Sequence, residues 1–258
     1  MMTASPLARM VLGIAAAAAC ALPALTLPAQ AQSCGPDALG TARTLPLAPG
    51  SAVGSFQYKS PQFGPKEIAL TFDDGPRPET TPKILDILKA QCVHATFFVV
   101  GRHAKAAPDI LRREAAEGHT IGTHTWSHRK LRGLPENEAE NEIDSAVAEV
   151  RRITGRDSDA RLFRFPEFAT TPQLRAHLAA TGQVIVSADI SPKDWAAGDP
   201  DETLARLEKQ VERRGRGIVV LHDVQSHTVD FLPRFLTFLK ENGYRVVQLE
   251  PAGGGERG

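Results

Sequence analysis

Neither sign of charge is in excess in this sequence. Its 258 residues contain 30 Lys and Arg residues and 30 Asp and Glu residues, so the formal net charge is zero. Proteins that bind nucleic acid or anionic membranes generally carry a basic excess. The sequence therefore predicts neither partner, and a neutral or small substrate fits it better.

Two other patterns are missing. No segment repeats with a period of about 20 to 50 residues, which argues against repeat architectures. No glycine-rich phosphate loop follows the first predicted strand of the sheet. With 42% hydrophobic residues, the chain can bury one substantial core, so we expect a single catalytic domain.

The N-terminus carries an apolar stretch that is short for a membrane span. Arg9 precedes the stretch MVLGIAAAAACALPAL, and the small residues Ala29 and Ala31 follow it. This pattern predicts a secretory signal peptide, residues 1–31, that is cleaved after Ala31. An uncleaved anchor and a lipoprotein cut before Cys20 are the alternatives. We expect a secreted or periplasmic monomer that has no membrane contact after cleavage.

Cysteine is scarce, with three residues in the chain. Cleavage removes Cys20 and leaves Cys34 and Cys92 in an oxidising compartment, where a disulfide is slightly favoured over two separate thiols. Residues 41–66 are rich in Pro, Gly and Ser and have neither helical nor strand period. We therefore expect the N-terminal arm, residues 32–61, to wrap around the domain rather than fold alone.

The remaining chain alternates short apolar runs with amphipathic stretches, which predicts seven strands separated by helices. The strands are EIALTF, ATFFVV, HTIGTHT, RLFRF, QVIVSA, GIVVLH and YRVVQL, and the helices lie near 80–90, 106–117, 136–154, 172–181, 202–214 and 229–241. Such strands favour a parallel α/β sheet covered by helices. About 190 residues suit a barrel slightly smaller than the eight-stranded type, with an open doubly wound sheet as the alternative. We assign residues 62–250 to this domain and 251–258 to a flexible tail.

Residues with titratable or metal-binding side chains follow five of these strands. In α/β folds the carboxyl ends of parallel strands meet at one rim, where active sites are built. The residues are Asp73 and Asp74, His124 and His128, Arg164, Asp194 with Trp195, and His222 with Asp223. Packing does not explain so many such groups at one rim, so we expect a catalytic site there.

The histidines and the paired aspartates predict a metal centre. A spacing of four would place His124 and His128 on one face of a helical turn, and one of the two aspartates can supply a third ligand. Two histidines and one carboxylate leave an open position, as in catalytic zinc sites. The other carboxylate can then act as general base. A glycosidase carboxyl pair and a helix N-cap are the competing interpretations.

These residues resemble the motifs of the polysaccharide deacetylase (NodB-homology) family, also called carbohydrate esterase family 4, over about residues 62–250. The motif T-F-D-D is matched by residues 71–74, and H-[ST]-x-x-H by residues 124–128. The resemblance implies a distorted (β/α)7 barrel. It also implies that Asp73 is the general base and that Asp74, His124 and His128 hold a divalent metal, zinc or alternatively cobalt.

Three weaker motifs complete the resemblance. Arg164 and Pro166 match R-x-P-[YF], but Glu167 replaces the aromatic residue, which leaves Phe168 one place later. By the resemblance, Arg164 pairs with the base, and a backbone N–H of this segment binds an oxyanion.

The fourth motif, D-x-x-D-W, is matched at Asp194 and Trp195 with two extra residues after Asp189, and the fifth, L-x-H, at Val220 and His222. The resemblance implies that His222 is the general acid and that Asp194 raises its pKa.

The implied substrate is an N-acetylated glycan, with chitin oligomers and peptidoglycan as the leading candidates. We expect Trp126, Pro166, Glu167, Trp195 and Val220 to contact it, the two tryptophans by stacking on a sugar ring. Packing over the site is an equal alternative for the tryptophans. An O-acetyl esterase acting on acetylxylan and a catalytically silent glycan-binding protein are the competing functions.

Overall fold

The computed structural model describes residues 1–2, 34–196 and 198–253. Residues 3–31 of the predicted signal peptide and residues 254–258 of the predicted tail lie outside the described residues. Within them, no helix combines the length and apolar character needed to cross a bilayer.

All seven predicted strands are present, and two more lie in the N-terminal arm. The nine strands are β1 (Thr41–Leu47), β2 (Ala52–Val53), β3 (Glu67–Asp73), β4 (Thr96–Val99), β5 (Thr120–Thr123), β6 (Leu162–Phe163), β7 (Val184–Val186), β8 (Gly217–His222) and β9 (Arg245–Pro251). Every residue of β3 and β4 is buried. Burial on both faces is expected of parallel strands covered by helices.

The strands form one sheet in the order β1-β9-β3-β4-β5-β6-β7-β2, with β8 paired to β3. The pairings are parallel, which confirms the α/β class. Among the described residues, no ladder of paired strands closes the predicted barrel between β7 and β8. A single parallel bridge, Ile190 to Val219, joins the segment after β7 to β8.

The arm takes a larger part in the fold than its composition indicates. β1 pairs with β9 from Thr41 opposite Val246 to Leu47 opposite Pro251, and β2 pairs with β7. Only Leu45 and Leu47 are buried in β1, so its strand pattern is weak in sequence. The predicted disulfide between Cys34 and Cys92 is confirmed, and it closes a loop with a sequence separation of 58.

Seven helices occur in the described chain: α1 (Thr81–Ala90), α2 (Gly101–Ala106), α3 (Pro108–Ala116), α4 (Glu136–Thr154), α5 (Pro172–Ala180), α6 (Pro200–Arg214) and α7 (Ser226–Glu241). The helix predicted near 106–117 is present as α3, whereas the short helix α2 directly before it was not predicted. Pro108 has no N–H to continue α2 and begins α3 instead. On α4, residues Ile143, Val147 and Val150 are buried at helical spacing, which forms its core-facing stripe.

The alternation along β3 positions the site. Ile68, Leu70 and Phe72 pack in the main core with residues of the helices, whereas Ala69 belongs to a second apolar cluster that includes Phe98 and residues of β7, β8 and β9. Side chains of a strand alternate between its two faces, so Asp73 lies on the same face as Ala69. The strand therefore delivers Asp73 to the carboxyl rim on the inner side of the sheet.

Candidate active site

Asp73 and His222 lie at the ends of neighbouring strands. In the pairing of β3 with β8, Asp73 is directly opposite His222, and in the pairing with β4 it is opposite Phe98. Both residues occupy the carboxyl ends of their strands, as predicted. The sheet register thus sets the relative position of the expected base and acid.

Asp74 leaves the strand in a left-handed conformation, with φ of 80°. Its N–H donates to the Phe98 carbonyl at 3.2 Å, and its carbonyl hydrogen-bonds to Nδ1 of His103 at 2.7 Å. This conformation is uncommon for a residue other than glycine, and it is held here by contacts on both sides. It sends the side chains of the two neighbouring aspartates to different partners.

The segment of His124 and His128 is a loop after β5, so the predicted helical turn is wrong. Thr125 and His128 have φ of 65° and 61°, and the His128 N–H donates to Oγ1 of Thr125 at 3.0 Å. Ser127 donates its N–H and its hydroxyl to the Glu142 carboxylate on α4, at 2.8 and 2.7 Å. The loop still brings the two imidazole rings to a centroid distance of 4.9 Å.

Asp74, His124 and His128 converge as a possible metal-binding group. One ligand atom from each lies within 4.8 Å of the others. Oδ1 of Asp74 is 3.1 Å from Nε2 of His128 and 3.6 Å from Nε2 of His124. The same Oδ1 is buried and has no hydrogen-bond partner. A buried oxygen left in this state between two imidazole nitrogens fits a site for a divalent cation.

The protonation of His124 also fits metal binding. Its Nδ1 hydrogen-bonds to the Arg164 carbonyl at 2.7 Å, and a carbonyl only accepts, so Nδ1 carries the proton. Burial, assisted by His128, lowers the pKa of His124 to about 3 against the opposing effects of Asp74 and of the hydrogen bond to the Arg164 carbonyl. The ring is therefore neutral, with the lone pair of Nε2 directed to the site as a ligand requires.

Asp73 is held by Arg164. The carboxylate Oδ1 accepts a hydrogen bond from Nη1 of Arg164 at 2.6 Å, and its Oδ2 lies 4.0 Å from Nε2 of His124. Burial raises the pKa of Asp73 above its ordinary value, and the Arg164 guanidinium opposes the rise. Burial therefore favours proton uptake by Asp73, whereas the pairing with Arg164 favours its charged form.

Arg164 itself is fully buried, and its guanidinium is satisfied by the surrounding strands. Its nitrogens donate to the carbonyls of Val186 and Ser187 at 3.1 and 3.0 Å and to Oγ1 of Thr71 at 2.8 Å. The guanidinium also lies 4.2 Å from the centroid of the Phe98 ring. These contacts fix the group that orients Asp73.

His222 forms the second charged pair of the site. Its Nδ1 lies 2.8 Å from Oδ1 of Asp194, whose Oδ2 accepts from the His222 N–H at 2.7 Å and from the Thr228 hydroxyl at 2.6 Å. Burial alone would lower the pKa of His222, but Asp194, Asp73 and Asp74 outweigh it and raise the pKa to about 9. The imidazole is therefore a proton donor at neutral pH.

These groups open into one cleft of about 700 Å³. Most predicted site residues line this cleft. Five further residues line it that were not expected to contact the substrate. The predicted members are Asp73, Asp74, His124, His128, Glu167, Trp195, Val220 and His222, and the additional ones are Phe56, Phe165, Phe168, Ser191 and Lys193.

Two of the expected substrate contacts, Trp126 and Pro166, are not among the lining residues. Trp126 instead packs against α2, where a Cβ on Gly101 would lie 2.7 Å from its ring and Nζ of Lys105 is 5.8 Å from the ring centroid. The packing alternative for this tryptophan is the one found in the structure.

Glu167, which replaces the aromatic residue of the third motif, lies at the rim. Its carboxylate pairs with Nζ of Lys130 at 2.6 Å, and both side chains are exposed. Glu167 and Phe168 have φ of 52° and 55°. The Phe168 N–H donates to the Phe165 carbonyl at 3.0 Å. No hydrogen-bond partner of the Glu167 N–H occurs among the described residues, so that donor is available to a ligand.

Asp223 supports the turn after Asp74. It is fully buried, and Oδ2 accepts from the Thr81 hydroxyl. A Cβ on Gly75 would lie 2.0 Å from the Asp223 carboxylate, so only glycine fits at that position. Asp223 directly follows the sixth predicted strand, which indicated a rim residue. Nothing in the sequence indicated its contact with the turn after Asp74.

Comparisons with known proteins identify the family of this chain. Residues 60–186 match the polysaccharide deacetylase family model. A chitooligosaccharide deacetylase of Sinorhizobium fredii is 30% identical over 72% of this chain and 91% of its own length. The peptidoglycan-N-acetylmuramic acid deacetylase PdaC of Bacillus subtilis is 35% identical over 70% of this chain, which spans 38% of that longer protein.

A solved structure shows the same fold. The peptidoglycan deacetylase of Bdellovibrio bacteriovorus superimposes with a TM-score of 0.73 at 33% identity, covering 81% of this chain and 58% of that one. Identity at this level over most of the domain, together with the family match, goes beyond a similarity of fold alone. The chain belongs to the polysaccharide deacetylase family.

Proposed function

We propose that this protein is a divalent-metal-dependent hydrolase that removes the acetyl group from N-acetylglucosamine units of glycans and releases acetate. The observation that supports this most directly is the arrangement of three units around one cleft: Asp73 paired with Arg164, His222 paired with Asp194, and the ligand group of Asp74, His124 and His128.

The proposed metal ligands are Asp74, His124 and His128. The unpartnered Oδ1 of Asp74 and the neutral His124 ring support this assignment. Two imidazoles and a carboxylate favour zinc, with cobalt as an alternative. When bound, such an ion supplies a Lewis acid that polarises a carbonyl oxygen and makes water a stronger nucleophile at neutral pH.

Asp73 is the proposed general base. Its Oδ1 is engaged by Arg164, which leaves Oδ2, on the side of His124, to accept the proton of the attacking water. Arg164 keeps the carboxylate ionised before the reaction and fixes its orientation. Arg164 therefore supports the proposed base both by its positive charge and by fixing the position of the Asp73 carboxylate.

His222 is the proposed general acid. Its Nδ1 is committed to Asp194, so the proton delivered to the departing nitrogen is the one on Nε2. The N–C bond of the acetamide breaks as this proton arrives, and the products are a free amine on the sugar and acetate. Asp194 acts through His222 by holding its orientation and its charge.

The Glu167 N–H is the proposed donor to the oxyanion that develops on the acetyl carbonyl. The left-handed conformation at residues 167 and 168 leaves this donor unused within the described chain. Because the donor belongs to the backbone, replacement of the aromatic side chain of the motif by Glu167 does not remove it. Glu167 changes the charge of the cleft rim instead.

The proposed substrates are chitin oligomers and peptidoglycan glycan chains. The names of the relatives support these two polymers, and an open cleft lined by aromatic side chains suits a sugar chain. The disulfide supports the proposal that the protein acts outside the cytoplasm, after loss of residues 1–31. We also propose that the protein is a monomer and that residues 62–250 form its catalytic domain.

The test is acetate release from chitin oligomers, peptidoglycan and acetylxylan, with and without a chelator. We expect turnover of the first two substrates, loss on chelation and recovery on adding zinc or cobalt. Release from acetylxylan alone would identify an O-acetyl esterase. Glycan binding without acetate release under every metal condition would identify a silent binding protein.

A further inference from the structure

Large apolar side chains are exposed at few places in the described chain. Apart from Met1 and Met2, they are Phe56, with 47% of its surface exposed, and Trp195, with 56% exposed. Both residues line the cleft that contains Asp73 and His222. Exposed aromatic residues that gather at one cleft indicate a binding surface rather than incomplete packing.

Phe56 is oriented by its neighbours. Its ring meets the ring of Phe168 edge to face, with a centroid distance of 5.6 Å and an interplanar angle of 89°. The adjacent side chain of Gln57 donates a hydrogen bond to the Phe168 carbonyl. The phenyl ring is therefore positioned against the segment that carries the proposed oxyanion donor.

The segment of residues 54–60, called here the Phe56 loop, is fixed to the sheet. Gly54 has φ of 104°, and a Cβ there would lie 2.6 Å from the backbone of Ser187, so the loop approaches more closely than another residue would allow. The Phe56 N–H donates to the Ala188 carbonyl at 2.9 Å. A ring held on an anchored loop loses little freedom when a ligand binds.

Asp189 is the main anchor of the Phe56 loop. This buried carboxylate accepts hydrogen bonds from the Ser55 N–H at 2.8 Å, from the Ser60 hydroxyl and from the Ile218 N–H at 2.8 Å. It also pairs with Arg214 at 3.1 Å. Asp189 opens the fourth motif in sequence, and in the structure it joins the arm to β8 at a position that does not line the cleft.

Phe56 lies outside residues 60–186, which match the family model. The family match therefore does not account for this wall of the cleft. The C–H face of a pyranose ring is apolar and can pack on an aromatic ring, whereas its hydroxyl groups point to the sides and to water. A neutral sugar ring also agrees with the uncharged character of both Phe56 and Trp195.

We propose that Phe56 is a specificity-determining residue, which together with Trp195 binds a pyranose ring of the glycan next to the unit that is deacetylated. The N-terminal arm thereby gives the cleft a preference for oligomers over single sugars. This inference rests on the proposed function for the identity of the substrate, but the contact itself is a matter of binding and can be measured without catalysis.

The binding test uses Asp73→Asn protein, so that no substrate is consumed, and follows tryptophan fluorescence during titration with N-acetylglucosamine tetramer. Trp126 and Trp195 are the only tryptophans in the sequence, and Trp195 lines the cleft. We expect Phe56→Ala to weaken binding about 5- to 20-fold, Phe56→Leu to lose part of the affinity, and Phe56→Trp to retain it. The control Phe238→Leu removes a ring that packs on Tyr244 and should leave the affinity unchanged.

The activity test compares kcat/KM for the tetramer and for N-acetylglucosamine in otherwise native protein. Phe56→Ala should lower the value for the tetramer at least about 5-fold more than the value for the single sugar, mainly through KM. Equal losses on both substrates, or unchanged tetramer affinity in Phe56→Ala, would overturn the inference.

The two proposals fail in different ways. If the native protein releases no acetate but tetramer binding still depends on the ring at position 56, the proposed function fails and the inference stands. If the native protein deacetylates the tetramer while Phe56→Ala binds it normally, only the inference fails. Thermal unfolding of each variant shows whether a loss reflects folding.

Discussion

Asp73 and Asp74 are neighbours in the chain, yet their surroundings differ in almost every respect. Asp73 is buried, and its Oδ1 is paired with an arginine that has no exposed surface. The side chain of Asp74 is 23% exposed, and its Oδ1 has no hydrogen-bond partner. A satisfied carboxylate suits a group that exchanges a proton, whereas an unsatisfied one beside two imidazoles suits a group that binds a cation.

The same contrast separates the two histidine environments. Nδ1 of His124 donates a hydrogen bond to a carbonyl and the ring is neutral, whereas Nδ1 of His222 faces the Asp194 carboxylate and the ring is charged at neutral pH. The group that faces Nδ1, a carbonyl for His124 and a carboxylate for His222, thus favours the proposed ligand role of the first ring and the proposed acid role of the second. The predictions below test this division, beginning with the largest expected effect.

Asp73→Asn should lower kcat by about two to four powers of ten, because the amide cannot accept the proton from water. The metal affinity should stay near that of the native protein, since the ligand group is separate. Isothermal titration with zinc and acetate release measured on the same sample check both parts. Turnover close to the native rate would show that Asp73 is not the base.

Asp74→Asn should produce the opposite pattern. Loss of the charged ligand should weaken zinc binding by more than about 100-fold, and activity should then recover in part at high metal concentration. The comparison with Asp73→Asn is the matched control, since the two changes are isosteric and adjacent. Unchanged metal affinity would contradict the assignment of Asp74 as a ligand.

Asp194→Asn should change the pH dependence more than the rate at neutral pH. His222 has its pKa raised to about 9, so the acid is protonated below that pH and activity should fall as the pH rises through about 9. Without the Asp194 charge the pKa should fall toward the ordinary value of about 6.5, which moves the descending limb to lower pH. A pH profile of kcat for both proteins measures the shift.

The free energy of unfolding should depend on the ionisation of His222 as well. Because the pKa of His222 is raised by folding, its contribution to the free energy of unfolding is complete below about pH 6.5 and is lost as the pH rises through about 9. Denaturant midpoints at pH 6 and pH 10 should therefore differ more in the native protein than in Asp194→Asn. An identical pH dependence in both proteins would show that the two side chains do not form a charged pair.

The sequence predicted the strands and the rim residues well for a physical reason. Buried parallel strands such as β3 are apolar along their whole length, so the point where the pattern stops at Asp73 and Asp74 is clear. The same argument led to His222 at the end of β8. The structure brings these residues to one cleft, and their catalytic roles stay predictions.

Other features had no sequence signal of this kind. The spacing of His124 and His128 suits a helix, but left-handed residues in a loop produce the same convergence. β1 shows only two buried residues and pairs with a strand about 200 positions away, so local periodicity does not reveal it. Phe56 is a single aromatic residue in an irregular segment, and only the fold shows that it reaches the cleft.

The pairing of β1 with β9 has a practical consequence for shortened forms of this protein. A version that begins at residue 60, where the family match starts, and keeps the native C-terminus would lack both arm strands, Cys34 and Phe56. The outer edge of β9 would then present unpaired backbone groups, which invite strands of other molecules to add. Such a fragment should therefore lose solubility for two reasons, the missing partner of β9 and the loss of the core residues Leu45, Leu47 and Val53.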